Sequence, residues 1–302
     1  MSDKGLAEPV CRRPGDPDHP VSDKPVSSGP CCILTVDVED WFHSENLPIT
    51  QKDWDKQKPR VREATWRLLA LLEEYNLKGS FFILGWVARR YPDLVMDILH
   101  EGHEIACHGF NHQLVYKMSR KEFREDVKRA KALLEDITSE EVIGYRASNF
   151  SITDWAIGIL QEEGFIYDSS LCQVSFHDRY GKFNHYQVAL NDDLVEIEPG
   201  FWEITIPTLN ICGLSLPWGG GGYFRLLPYP IFKTGLQRIL KEKQSFVFYI
   251  HPREIDPGQP HIADLAWVNR FRHRVGLKHC EAKLRRLLSD FRFIPVKERL
   301  IH

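Results

Sequence analysis

The stretch ACHGFNH, residues 106–112, sets two histidines four positions apart, His108 and His112. On a helix such a pair shares one face, and on a loop the two rings can also converge. The zincin pattern is excluded, because Gly109 stands where its glutamate would follow the first histidine. A metal site therefore needs a third ligand from elsewhere, and TVDVEDWF, residues 35–42, is the best source. Three carboxylates crowd its centre, Asp37, Glu39 and Asp40, and without a cation they repel one another. In extended chain Asp37 and Glu39 point to the same side, which favours Glu39 over Asp40 as the ligand and leaves the alternative open. Two imidazoles and one carboxylate suit a divalent cation with open positions; Zn²⁺ is the first candidate, and Fe²⁺ and Co²⁺ also fit. Such an ion lowers the pKa of a water and polarises a carbonyl. The remaining carboxylate, Asp37, can serve as general base if an arginine fork holds it, and Arg146 in GYRASNF is placed to do so. Amide hydrolysis also needs an acid for the departing amine. His251, at the end of the apolar run VFYIHPRE, is the candidate.

These residues fall at the ends of regular elements. CCILTVDV (31–38), GSFFILG (79–85), HEIACH (103–108), VIGYRA (142–147) and FIYDSS (165–170) read as strands. Helical patterns lie between them at 63–76, 91–102, 119–136 with Ser119 as cap, and 153–164 with Thr153 as cap. Strand and helix alternate, which predicts an α/β fold with parallel βα units, either a barrel or a doubly wound sheet. In both, ligands gather beyond the C-terminal ends of the strands, where Asp37, Glu39, His108 and Arg146 all fall. Residues 171–227 are less regular: 196–209 reads as extended and 216–229 as a Gly-rich loop. Alternation resumes with a helix over 231–243, a strand over 245–251, a helix over 279–290 and a last strand over 291–296. Trp218, Tyr223 and Phe224 in the Gly-rich segment can stack on sugar rings, and Arg225 can meet a phosphate or carboxylate; no Lys-Ser/Thr follows the glycines, so it is not a P-loop.

The whole chain sets bounds on the rest. Its 302 residues are 43% hydrophobic and 27% charged, with a formal net charge of -3, so nothing points to nucleic acid or an anionic membrane as partner. No apolar run is long enough to span a bilayer. Residues 1–30 are polar and proline-rich, without a secretory signal's apolar core, and are expected to be a disordered tail. Residues 31–302 are expected to form a single domain, with 261–302 as a C-terminal helical and strand extension. A cytoplasmic setting follows as an expectation, with the seven cysteines mostly free thiols.

The segments LTVDVEDWFH, GSFFILGWVA, GHEIACHGFNH, GYRASNF, DSSL, GGGGYFRLLPY and FYIHPREIDPGQP, in this order, resemble the polysaccharide deacetylase family, the NodB-homology domain. The resemblance spans about residues 32–300 and is nearest to the deacetylases of bacterial exosortase-associated exopolysaccharide systems. It implies a distorted (β/α)₇ barrel. It implies a base at Asp37, a metal carboxylate at Glu39, metal histidines at His108 and His112, an orienting arginine at Arg146 and an acid at His251. The activity implied is metal-dependent removal of an N-acetyl group from an amino sugar of an exopolysaccharide or its precursor, so an N-acetylated glycan is the expected partner. Val38 separates carboxylates that are adjacent in many members. Ala147 stands where a proline usually follows the arginine. No Asp-Trp pair is evident to tune the acid histidine, and Trp202-Glu203 is the candidate replacement. Two other readings are a cyclic amide or ureide hydrolase on the same scaffold and a non-catalytic carbohydrate-binding protein. The latter has no use for Asp37, Arg146 or His251.

Overall fold

The computed structural model describes residues 30–174, 193–262 and 265–301, together with 181, 183, 185, 186 and 188; the expected tail lies, but for Pro30, outside them. Eleven strands occur among these residues: β1 Cys31–Val38, β2 Ser80–Ile83, β3 Glu104–Cys107, β4 Gly144–Tyr145, β5 Tyr167–Asp168, β6 Leu194–Glu198, β7 Phe201–Ile204, β8 Thr208–Ile211, β9 Leu214–Pro217, β10 Ser245–Ile250 and β11 Phe293–Ile294. Seven of them, β10, β1, β2, β3, β4, β5 and β7, lie side by side in parallel, as a (β/α)₇ barrel requires. β6 pairs antiparallel with β7, and β11 adds a short parallel pairing to β1. The arc closes between β7 and β10 without a regular ladder. Trp218 N–H donates to Pro207 O (2.9 Å), and Tyr249 N–H donates to Gly219 O (2.8 Å). This seam distorts the barrel.

β1 lies between β10 and β2, and its composition reports that position. It is flanked on both sides and covered on both faces, so it carries apolar residues almost continuously rather than in alternation. Cys32, Leu34, Val36 and Val38 join the large core beneath the helices. Ile33 instead joins the inner cluster with Phe82, Tyr167, Ile204 and Val247. The period of two carries that inward direction through Thr35 to Asp37. The strand thus delivers a carboxylate to the C-terminal mouth of the barrel.

The elements expected from periodicity are present, with helices at Val61–Glu74, Pro92–His100, Arg120–Thr138, Asp154–Glu162, Tyr229–Glu242 and Leu277–Asp290. Ser119 caps its helix in a reciprocal capping box with Glu122, whereas Thr153 makes no capping bond. Three short helices, Gly85–Arg90, Trp267–Arg274 and Val296–Ile301, were not evident from pattern, being too brief to show a period. The expected Gly-rich loop is a correction: 216–229 contains the end of β9 and the helix Gly221–Leu226. Its glycines serve close approach. A Cβ on Gly220 would lie 2.2 Å from the Tyr249 hydroxyl, and one on Gly221 would lie 1.9 Å from Glu254 Oε2. The C-terminal residues pack into the same core through Leu284, Leu287 and Leu288.

Candidate active site

The groups proposed to do chemistry converge at the C-terminal mouth of the strands. Asp37 ends β1. His108 follows β3, and its N–H bonds to Ile83 O of β2 (3.1 Å). Arg146 follows β4, its N–H bonded to Cys107 O (2.9 Å), and His251 follows β10. His112 is carried by a loop that needs left-handed backbone at Gly109 (φ +69°) and at His112 itself (φ +53°). Asp126, from the helix Arg120–Thr138, accepts from Phe110 N–H (2.7 Å) and Asn111 N–H (3.1 Å) and pins that loop. Its spacing in the sequence carries no signal for this task.

Glu39 Oε1 lies 2.9 Å from His108 Nε2 and 2.8 Å from His112 Nε2, and all three side chains are buried. His108 Nδ1 lies 2.8 Å from Arg146 O. A carbonyl only accepts, so Nδ1 carries the hydrogen and a neutral His108 presents the Nε2 lone pair to the carboxylate. Two acceptors at that distance repel unless a proton or a cation joins them. Burial pushes the Glu39 carboxyl up, but the His112 and His251 charges and the two imidazole bonds outweigh it and hold the group well below the usual range. Burial pushes His108 down, and the Glu39 bond with the Asp37 and Glu39 charges reverses this and raises it. One donor atom from each of Glu39, His108 and His112 falls within 4.8 Å of the others, a spacing that fits one divalent cation. Asp40 has a different task. Its oxygens accept from Trp41, Arg60 and Val61 N–H at 2.8–3.0 Å, so it caps two helical segments and is not part of the triad.

Arg146 is wholly buried and holds Asp37. Its Nη1 donates to Asp37 Oδ1 and to Thr35 Oγ1 (2.8 Å each), Nε to Ser169 O (2.8 Å) and Nη2 to Ser169 Oγ (2.9 Å). The guanidinium also lies over the Phe82 ring, 4.1 Å from its centroid. Asp37 Oδ2 faces His251 Nε2 at 3.8 Å, and Glu39 Oε1 is equally far from that nitrogen.

The partner of His251 is Glu254, which sequence reasoning missed. Glu254 Oε2 accepts from His251 N–H (3.1 Å) and lies 3.2 Å from His251 Nδ1. Arg225 Nε donates to its other oxygen (2.9 Å). Burial pushes the Glu254 carboxyl up, but Arg225, then His251 and Arg253, hold it far below the usual range. The signal was the spacing His-Pro-Arg-Glu, which is that of a capping box over one short turn. The expected replacement, Glu203, sits elsewhere: it accepts from Ser170 and Leu171 N–H and shares a side-chain hydrogen bond with Asp168.

Of the residues expected to bind sugar, Tyr223 and Arg225 line the cavity beside this site. That cavity has a volume of about 650 Å³ and takes in Asp37, Glu39, His112 and His251. Trp218 is buried instead, stacked on Phe232 (6.0 Å between centroids) with Nε1 donating to Phe232 O (3.0 Å). Arg225 reaches the cavity but is saturated: besides Glu254, it donates to Val275 O (2.7 Å) and Arg272 O (3.1 Å). A guanidinium so engaged holds the wall together and is not free for a ligand. Phe224 is core.

Residues 50–167 match the family model described as polysaccharide deacetylase, and residues 169–300 match a domain of unknown function, DUF3473. The first match contains His108, His112 and Arg146; Asp37, Glu39 and His251 lie outside it. A peptidoglycan deacetylase of Helicobacter pylori is 26% identical over 68% of this chain, and a peptidoglycan-N-acetylglucosamine deacetylase of Bacillus cereus is 25% identical over 35%. The chain spans 65% of the length of the first and 44% of the second. Among solved structures, a Mycobacterium smegmatis chain assigned to the polysaccharide deacetylases superposes with a TM-score of 0.57 at 20% identity, covering 88% of this chain and 85% of its own. A Pseudomonas aeruginosa chain of the same assignment gives 0.54 at 16% identity, covering 86% and 84%. These two likenesses are of fold.

Proposed function

Since this chain belongs to the polysaccharide deacetylase family through residues 50–167, we propose that it hydrolyses the N-acetyl group of an amino sugar in a glycan, using one divalent cation. The observation that carries the reading is the convergence of three groups of residues on one cavity: the Glu39–His108–His112 triad, the Asp37–Arg146 pair and the His251–Glu254 pair. Glu39, His108 and His112 would hold the cation. When bound it supplies Lewis acidity, making a water acidic and polarising the acetyl carbonyl.

The side chains divide the proton work. Arg146 occupies Asp37 Oδ1, so the carboxylate is fixed in orientation and Oδ2 is left to take the proton of the attacking water. Glu254 takes the Nδ1 side of His251, which leaves Nε2 as the atom that gives a proton to the departing amine. Nε2 lies 3.8 Å from both Asp37 Oδ2 and Glu39 Oε1, so base, ligand and acid surround one small volume. The products are acetate and a free amino sugar. The likeness of the motifs to the exosortase-associated branch supports an exopolysaccharide or its precursor as the glycan.

The test is acetate release from nucleotide-linked, lipid-linked and oligomeric N-acetylated sugars, with chelated and then zinc-reconstituted protein. Release that vanishes on chelation and returns with zinc supports the assignment. No release from any of them, alongside hydrolysis of a cyclic amide or ureide, overturns it in favour of that other C–N hydrolase.

A further inference from the structure

The lining of the catalytic cavity carries both signs of charge. Asp37 and Glu39 are acidic, and Arg253, Arg272 and His273 line it together with the saturated Arg225. Arg253 follows the acid histidine by two residues, on the short turn Pro252–Ile255, and yet differs from its neighbour Glu254. Its side chain makes no hydrogen bond or ion pair with the described residues, and its Nε is buried without a partner. Glu254 and Glu39 supply the nearest negative charge, but neither carboxylate forms an ion pair with Arg253. Glu254 Oε1 accepts from Arg225 and Oε2 from His251, while Glu39 Oε1 faces two imidazoles.

His273 repeats the pattern from the helix Trp267–Arg274. It is 7% exposed and lines the cavity, and its Nε2 is buried without a partner among the described residues. Burial, then the Arg253, Arg225 and Arg274 charges, push it down to about 4, so it sits in a positive field. A buried donor left without an acceptor destabilises its surroundings, and more so when charged. A substrate oxygen carrying negative charge is attracted by that field and can meet the Arg253 guanidinium at the cavity wall. The neutral hydroxyls of a plain amino sugar offer no charge to match it.

We propose that Arg253 and His273 form an anion subsite of this cavity, taking a carboxylate or phosphate borne by the amino-sugar substrate. The inference rests on the deacetylase reading and narrows its substrate class. The two sources of anion, an acidic sugar and a glycosyl phosphate, share this chemistry and are separated by the probes.

The experiment compares acetate release by the zinc-loaded protein from three probes: N,N′-diacetylchitobiose, N-acetylmuramic acid and N-acetylglucosamine 1-phosphate. An anionic probe should exceed the neutral one in kcat/KM by tenfold or more, and which of the two does so names the source. Arg253→Gln should collapse that ratio at least tenfold, mainly through KM, and Arg253→Lys should restore part of it. His273→Asn should lower the ratio without the loss of a cation. A ratio near one in the wild type, or one unchanged in Arg253→Gln, overturns the subsite. If no probe is hydrolysed, the deacetylase reading fails for these sugars and calorimetry on the zinc-loaded protein decides the subsite alone. Tighter binding of an anionic probe that is lost in Arg253→Gln upholds it; equal affinities, or no binding of either anionic probe, overturn it.

Discussion

Adding zinc to chelated protein should raise its melting temperature, and the triad permits an estimate of how much. Glu39, His108 and His112 come from three separate segments, after β1, after β3 and from the loop closed by Asp126, and all are buried. The unfolded chain does not hold them together, so an ion held by the triad would bind the folded state preferentially. At zinc 100-fold above its dissociation constant, that linkage contributes about 2.7 kcal/mol. A domain of this size gains about 2–4 °C per kcal/mol, so the shift should be about 5 °C or more. The assay is thermal unfolding of protein freed of metal and titrated with zinc chloride. Glu39→Gln removes the charged oxygen that both imidazoles face and should cut the shift to about 1 °C at the same zinc concentration, a loss of most of the linkage term. His251→Asn should keep the full shift, because that ring is 3.8 Å from Glu39 Oε1 and engaged with Glu254 instead. An equal shift in the wild type and Glu39→Gln would refute the reasoning, since the ion would then be bound elsewhere, for example at the exposed Cys212.

Asp37→Asn keeps an acceptor for Arg146 Nη1 but loses the base, so acetate release should fall by about 10²–10⁴ while the zinc shift persists; near-full turnover would remove Asp37 from that role. Trp218→Ala should cost about 3–5 kcal/mol in urea unfolding, as a buried ring stacked on Phe232, and a raised KM with unchanged stability would return Trp218 to the sugar site. Asp168 is raised to about 6, by burial above all, and the adjacent Glu203 is raised further by burial and by Asp168. A raised carboxyl contributes stability that is full below its unfolded value near 4 and is lost as pH climbs through the folded value. Asp168→Asn should therefore gain on the wild type between pH 4 and 7, by about 3 kcal/mol at most, and a difference that is flat with pH in urea titrations would contradict this.

Much of the site was legible because its chemistry is tied to strand ends. An apolar run that stops at Asp37, at His108 or at His251 announces both a buried strand and the polar group that it delivers. The preference for Glu39 over Asp40 rested on strand alternation. In the structure Glu39 faces His108 and His112 whereas Asp40 accepts from backbone N–H groups, although Glu39 lies just past β1, where its N–H bonds to Asp37 O (3.0 Å). The glycine run misled because glycine is ambiguous in sequence. It permits a loose loop, and it also permits backbone to press against Tyr249 and Glu254, which is its use here. Trp218 misled for a related reason, since an indole suits a sugar face and a core equally well.

What the sequence determined by itself was the α/β alternation, the order of the strands' contents and the list of groups able to hold an ion or move a proton. Those are local properties, written in periodicity and residue type. Which carboxylate supports His251, which arginine is saturated and which is free, and which side chains share one cavity were decided only by the tertiary structure. Arg225 and Arg253 are alike in type and both reach the cavity wall, yet one spends its donors on Glu254 and the carbonyls of residues 272–275 while the other makes no such bond. Partners separated by 29 to 50 positions meet only when the barrel closes, and no local pattern encodes that meeting.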